Sequence, residues 1–222
     1  TGDFNTAVGT SALTSVTTAD NNTAFGYSAG QEITTGTGNT AVGVQALDAA
    51  TTANFNTAMG HIALGSNTSG TENTGLGSQA MTGNTTGSNN TALGSQTMYA
   101  NTTGASNTAV GMQALDANVA FNSNTAVGKS ALGAYGASGS SDGHNVAVGM
   151  ETMDALTTGS YNIAVGGQSQ GAGTTTDYNV SMGYRSLYTA TTGGSNVALG
   201  HKALLALTTG SHNTSIGKDA GD

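Results

Sequence analysis

Six side chains in the second half of the chain, His144, Tyr161, Tyr178, Tyr184, Arg185 and Tyr188, combine flat rings with one fixed cation. His144, Tyr161 and Tyr178 follow one another at intervals of 17 residues. A coil of that length would stack them about 4.8 Å apart, with Tyr184, Arg185 and Tyr188 on the following turn. Stacked rings beside a cation can hold a sugar through its apolar faces and through hydrogen bonds to its hydroxyls. The same file can also pack on itself across strands, with no ligand. Just ahead of it lies a Gly/Ser-rich segment, 135–143, formed by a four-residue insertion. Tyr135, Ser138, Ser140, Ser141 and Asp142 are expected there on a loop that bulges from a uniform wall, where recognition is often placed.

Other reactive side chains lack the grouping that chemistry needs. Asp48, Asp116, Asp154 and Asp222 recur at one repeat position but in non-adjacent coils, and no calcium-loop pattern is present. His61 pairs by position with His201, and His144 with His212, always coils apart, as suits solvated histidines better than a metal site. Ser, His and Asp are abundant only because the repeat copies them, so no catalytic triad is inferred. The expectation is a protein that is not an enzyme and carries no cofactor or metal. Threonine columns raise ice binding, but the adjacent Thr pair of the repeat would point to opposite faces of an extended strand rather than form a flat two-rank lattice.

What positions these groups is a repeat. Asn5, Asn22, Asn39, Asn56, Asn73, Asn90, Asn107 and Asn124, then Asn145, Asn162, Asn179, Asn196 and Asn213, are spaced by 17 residues with one step of 21. A Gly follows each Asn by four residues, and the unit reads Asn-Thr-Ala-Val-Gly-x-x-Ala-Leu-x-x-x-Thr-Thr-Gly-x-x. Such self-similarity makes the fold a stack of units that touch only their neighbours. The unit is too short for a helical repeat and carries helix-hostile Gly, Thr and Asn, so parallel β-solenoid coils are predicted, all-β, in one repeat domain over 1–222. Thirteen coils at about 4.8 Å each give a body on the order of 60 Å long.

Counting each Asn as position 0, position 3 is large and apolar, and position 2 is Ala, Ser or Gly in every unit. A column held that small implies a close neighbour. Gly at position 4 is expected at positive φ, and a second short strand is expected around positions 7 and 8. The Asn column can form a side-chain ladder along the axis. One flattened coil can enclose one large apolar column but not comfortably two. The position 8 column, Leu13, Leu47, Leu64, Met81, Met98, Leu115, Leu132, Met153, Leu187 and Leu204, is therefore expected outside as a continuous stripe that joins identical chains.

Composition narrows the function further. The formal charge is −8 with only four Lys and Arg, which opposes nucleic acid and anionic lipid. Cysteine is absent, and no run of about 18 apolar residues offers a membrane span, so neither disulfides nor direct membrane insertion is expected. The ends fall part-way through repeats, as in a fragment of a longer fibre whose anchor and caps lie elsewhere.

The Asn-Thr-Ala-Val-Gly-x-x-Ala core resembles the Asn-x-x-Ile-Gly-x-x-Ser/Ala units in the heads of trimeric autotransporter adhesins. The full unit, as in 90–106 (NTALGSQTMYANTTGAS), is similar to repeats of bacteriophage tail fibres. The adhesin heads repeat over a shorter unit, so the unit here carries a longer return loop. The resemblance spans the chain and implies a homotrimer of left-handed β-rolls at the tip or shaft of an extracellular fibre, on a bacterial surface or a virion tail. The function expected from it is adhesion to a cell-surface receptor, a glycan by the aromatic file. The alternative is a structural spacer with no ligand, and an ice-binding solenoid is the third reading.

Overall fold

The computed structural model describes residues 2–136 and 143–221. Among them every regular element is a three-residue parallel strand, and no helix is present. By its contacts the chain divides into two compact units, Thr1–Asn107 and Thr108–Asp222. The first holds β1 (Thr6–Val8), β2 (Thr23–Phe25), β3 (Thr40–Val42), β4 (Thr57–Met59), β5 (Thr74–Leu76) and β6 (Thr91–Leu93). The second holds β7 (Thr108–Val110), β8 (Thr125–Val127), β9 (Val146–Val148), β10 (Ile163–Val165), β11 (Val180–Met182), β12 (Val197–Leu199) and β13 (Thr214–Ile216). Within each unit every strand pairs in register with the next, Thr40 on Thr57 and Ile163 on Val180 for example. Each unit is thus a parallel β-solenoid, of 17-residue coils except for the 21-residue coil between Asn124 and Asn145 in the second, as the period predicts.

The asparagines bind the coils together. Asn39 Nδ2 donates to Asn22 Oδ1 at 3.0 Å, and the Asn39 backbone N–H donates to the same oxygen at 2.9 Å. The amide of Asn39 also closes its own coil by donating to the Ala53 carbonyl at 2.8 Å. The pattern recurs at Asn56, Asn90, Asn145 and Asn162. Each side chain is buried with its polar atoms partnered, so the usual penalty for burying an amide does not arise. Gly43 shows why position 4 is fixed: its φ is 132°, and an added Cβ would sit 2.6 Å from the Gly60 carbonyl oxygen of the next coil.

The interior differs from the expected one. Leu47, Leu64, Met81, Met98, Leu115, Leu132, Met153 and Leu187 are fully buried, with Leu13 and Leu204 nearly so. The column assigned to a contact between chains is the core of each coil, and the position 3 side chains stand outside. Val8, Phe25, Met59, Leu93, Met182 and Ile216 are all exposed. Position 2 is small because the position 8 side chain fills the space before it: a Cβ built on Gly75 would meet Leu64 Cγ at 3.3 Å. The close neighbour predicted there is the chain's own core.

Among the described residues no second strand forms at positions 7 and 8. Ala46 and Leu47 are both buried, whereas a strand would turn one of them outward. The chain manages this with left-handed residues on alternate positions, Gln45 at φ 54° and Leu47 at φ 53°. A left-handed non-glycine residue costs about 1–2 kcal/mol. Full burial of a Leu side chain contributes roughly 1.5–3 kcal/mol in return, and the N–H of Leu47 bonds the Ala63 carbonyl of the next coil at 2.9 Å.

Candidate functional site

A rung of the second unit is set by its backbone. Tyr161 and Tyr178 take φ values of 60° and 57°, and the N–H of Tyr178 donates to the Ser160 carbonyl at 3.1 Å. Identical conformation in successive coils aims the side chains alike, and the rings stack as their spacing predicts. His144 lies 5.0 Å from Tyr161 at 7° between planes, and Tyr161 lies 5.1 Å from Tyr178 at 1°. Tyr178 is 61% exposed, so its outer face is open.

Tyr184, Arg185 and Tyr188 form a separate group. The Arg185 guanidinium lies 5.3 Å from the Tyr184 ring centre and 5.1 Å from that of Tyr188. Its Nε donates to Gln168 Oε1 at 2.7 Å, and Gln168 Nε2 donates to Glu151 Oε2 at 2.8 Å. Tyr184 also stacks on His201 at 5.8 Å, and His201 Nδ1 sits 3.6 Å from Asp219 Oδ1. Among the described residues no ring contact joins this group to the His144–Tyr161–Tyr178 file. The six residues expected to share one surface therefore fall into two clusters. Glu151, Gln168 and His201 also belong to the second; His201 is read from the sequence as a solvated histidine, whereas Glu151 and Gln168 carry no expectation although they recur with Arg185 at 17-residue intervals.

Tyr135 corrects the expected loop. It is fully buried, with its ring 4.6 Å from Phe121 and tilted by 52°, and burial pushes its hydroxyl up to about 12. It fills the core column that Asn118 and Leu156 occupy in the neighbouring coils, so it cannot project toward a receptor. Ser138, Ser140, Ser141 and Asp142 lie outside the described residues.

Two of the carboxylates at position 9, Asp116 and Asp154, both approach the Gly133 rung that separates their coils. An added Cβ on Gly133 would stand 2.6 Å from Asp154 Oδ1 and 3.6 Å from Asp116 Oδ1. Burial raises both above the ordinary carboxyl value. The Asp154 charge adds to the rise at Asp116, and Glu151 adds to it at Asp154, where Lys129 opposes. Asp48 is raised by burial and then by Glu32. Among the described residues no cluster of three or more potential metal ligands occurs.

The threonine column at position 12 turns its hydroxyls to the next coil. Thr34 Oγ1 donates to the Thr51 carbonyl at 2.9 Å and Thr174 Oγ1 to the Thr191 carbonyl at 3.0 Å, which occupies the donors a water lattice would need.

No family model, no characterised protein and no solved structure matches the chain.

Proposed function

We propose that the chain is a structural and adhesive segment of a trimeric extracellular fibre, bacterial or viral, that binds cell-surface glycans. The observation that carries the binding half is the His144–Tyr161–Tyr178 stack, an open aromatic face on a rigid scaffold. Apolar ring faces and nearby hydroxyls suit a sugar, and the charge of −8 disfavours phosphate-bearing ligands. Its mechanism is passive display: three copies of a weak site add by multivalency.

The trimeric half now rests on a different column. Positions 3 and 5 carry exposed apolar side chains in both units, among them Phe25, Tyr27, Val44 and Met59, then Met150, Met182 and Ile216. Apolar rows of this kind mark interaction surfaces, and an identical chain presents the same rows at the same pitch. Light scattering should return three times the mass of the chain. A folded single chain would remove the trimer.

The test of binding is Tyr161→Ala with Tyr178→Ala, which should abolish attachment to a glycan array and to whole cells. Unchanged adhesion discards the site. The spacer reading draws on the same rings, since they already satisfy one another by stacking. It predicts that the unaltered chain binds no cells at all.

A further inference from the structure

The ring file has a missing rung. Residues 144, 161 and 178 carry rings, 195 is Ser, and 212 is again His. The backbone treats all of these positions alike: Tyr178, Ser195 and His212 have φ values of 57°, 58° and 61°. The N–H of Ser195 bonds the Asp177 carbonyl at 3.0 Å, and that of His212 bonds the Gly194 carbonyl at 3.2 Å. Strands β11, β12 and β13 beside them stay in register, Val180 on Val197 on Thr214. Filled rungs are 5.0–5.1 Å apart, so His212 is rooted two steps beyond Tyr178, about 9.6 Å away. A single ring centred over Ser195 would lie about 4.8 Å from each neighbour, within the range at which ring faces attract.

We propose that the rung at Ser195 is a slot for one neutral pyranose ring, held between the faces of Tyr178 and His212. This rests on the glycan reading above and names where in the file the sugar sits. Tyr178, Ser195 and His212 are all exposed, so the slot opens to solvent. Its floor is polar. Ser195 contributes a hydroxyl, and the Ser211 hydroxyl leans to the same rung, accepting the Gly194 N–H at 3.2 Å. These suit a ring that bears hydroxyls on its edge and apolar C–H groups on its faces. The exposed Asp177 carboxylate beside Tyr178 and the overall charge of −8 select against an anionic sugar. In the first unit Phe55 lies against Gly38, the rung before it, where an added Cβ would fall 2.7 Å from Phe55 Cδ1. Ser195 keeps a Cβ and a hydroxyl at the equivalent place.

The experiment is NMR titration of the 222-residue chain with the methyl glycosides of glucose, galactose, mannose and N-acetylglucosamine. Adenosine serves as a flat-ring probe and sialic acid as an anionic one. At least one neutral glycoside should show saturation transfer to its ring protons and move the His212 Hε1 signal. Ser195→Tyr completes the stack and should weaken binding tenfold or more, as Tyr161 and Tyr178 show that this backbone accepts Tyr. The same change at the equivalent rung of the first unit, Ser106→Tyr, should leave binding as it was. His212→Ala should weaken it about tenfold, and it decides the matter if Ser195→Tyr does not fold. A glycoside bound equally by Ser195→Tyr, or by His212→Ala, overturns the slot and leaves the glycan reading standing. Absence of binding by any glycoside overturns both. Binding of adenosine or sialic acid in place of the neutral sugars overturns the assignment of the ring.

Discussion

The coils around Leu64 to Met98 and the coil 162–178 both bury polar side chains, but on different terms. In the first region Asn67, Asn84 and Asn101 occupy one interior column. Asn84 Nδ2 donates to Asn67 Oδ1 at 2.8 Å, and Asn101 Nδ2 to Asn84 Oδ1 at 2.7 Å. Each amide also caps the glycine carbonyl three residues on, at Gly70, Gly87 and Gly104. In the second region Gln170 stands where neighbouring coils have Met153 and Leu187. Its Nε2 reaches Thr176 Oγ1 and Asn162 Oδ1, while its buried Oε1 has no hydrogen-bond partner among the described residues. Ser169 beside it bonds Ser181 Oγ at 2.7 Å and shares a 2.9 Å hydrogen bond with Ser186 Oγ. A polar residue fits a solenoid core when it recurs in file, because the neighbouring copy supplies its partner. A solitary one must find partners among unlike residues, and one atom fails to.

The sharpest way to break this contrast is truncation at matched positions. Leu64→Ala should destabilise by roughly 4 kcal/mol, read from the urea midpoint, because it empties the space against Gly75. Gln170→Ala at the same repeat position should cost less than about 1 kcal/mol, since it also removes the unpartnered oxygen. Equal losses would sink the distinction. Asn84→Leu strands Asn67 Oδ1 inside the coil and takes one of its acceptors from the Asn101 amide, and should cost about 3 kcal/mol. Gln170→Met conserves volume and should raise the unfolding midpoint by an equivalent of about 1 kcal/mol; a lower midpoint would show that the polar plug is an asset.

The smallest effect is electrostatic. Folding raises the carboxyls of Asp116 and Asp154 above the ordinary value of 3.8, chiefly by burial. The folded chain therefore holds these protons more tightly than the unfolded one. Their penalty is absent below 3.8 and fully present once pH has risen through the raised folded values. Asp116→Asn should add a few tenths of a kcal/mol at neutral pH, given the partial exposure of the site, and flatten the acid side of the stability profile. No gain at neutral pH would mean that solvent already screens the pair.

The repeat makes the coil, its pitch, the asparagine ladder, the glycine corner and the ring stack readable from spacing alone, because residues 17 apart must become neighbours. Period does not say which side of a coil faces inward. A slender coil has room for one large apolar column, and giving that room to position 3 puts Leu47 and its column outside, on a second strand at positions 7 and 8. Left-handed residues there turn both side chains in, and no pattern of hydrophobicity encodes the sign of φ. Tyr135 was misplaced for a related reason. Judged by its Gly/Ser-rich surroundings it belongs to a loop, whereas aligned on the repeat it stands in file with Asn118 and Leu156. The split between the Tyr161 and Tyr184 clusters depends on which corner of the coil each position occupies, and that follows only from the backbone path.

The asparagine ladder asks nothing of a coil except that it begin with Asn and come back to it, after 17 residues as a rule and after 21 between Asn124 and Asn145, since successive rungs offer the same acceptor upward and take the same donor. Inside either unit a whole coil could be copied or excised and the rungs on each side would still mate. Replication slippage over a 51-base stretch would thus lengthen or shorten the stack without creating a seam, giving a lineage a ready means of altering how many coils it holds.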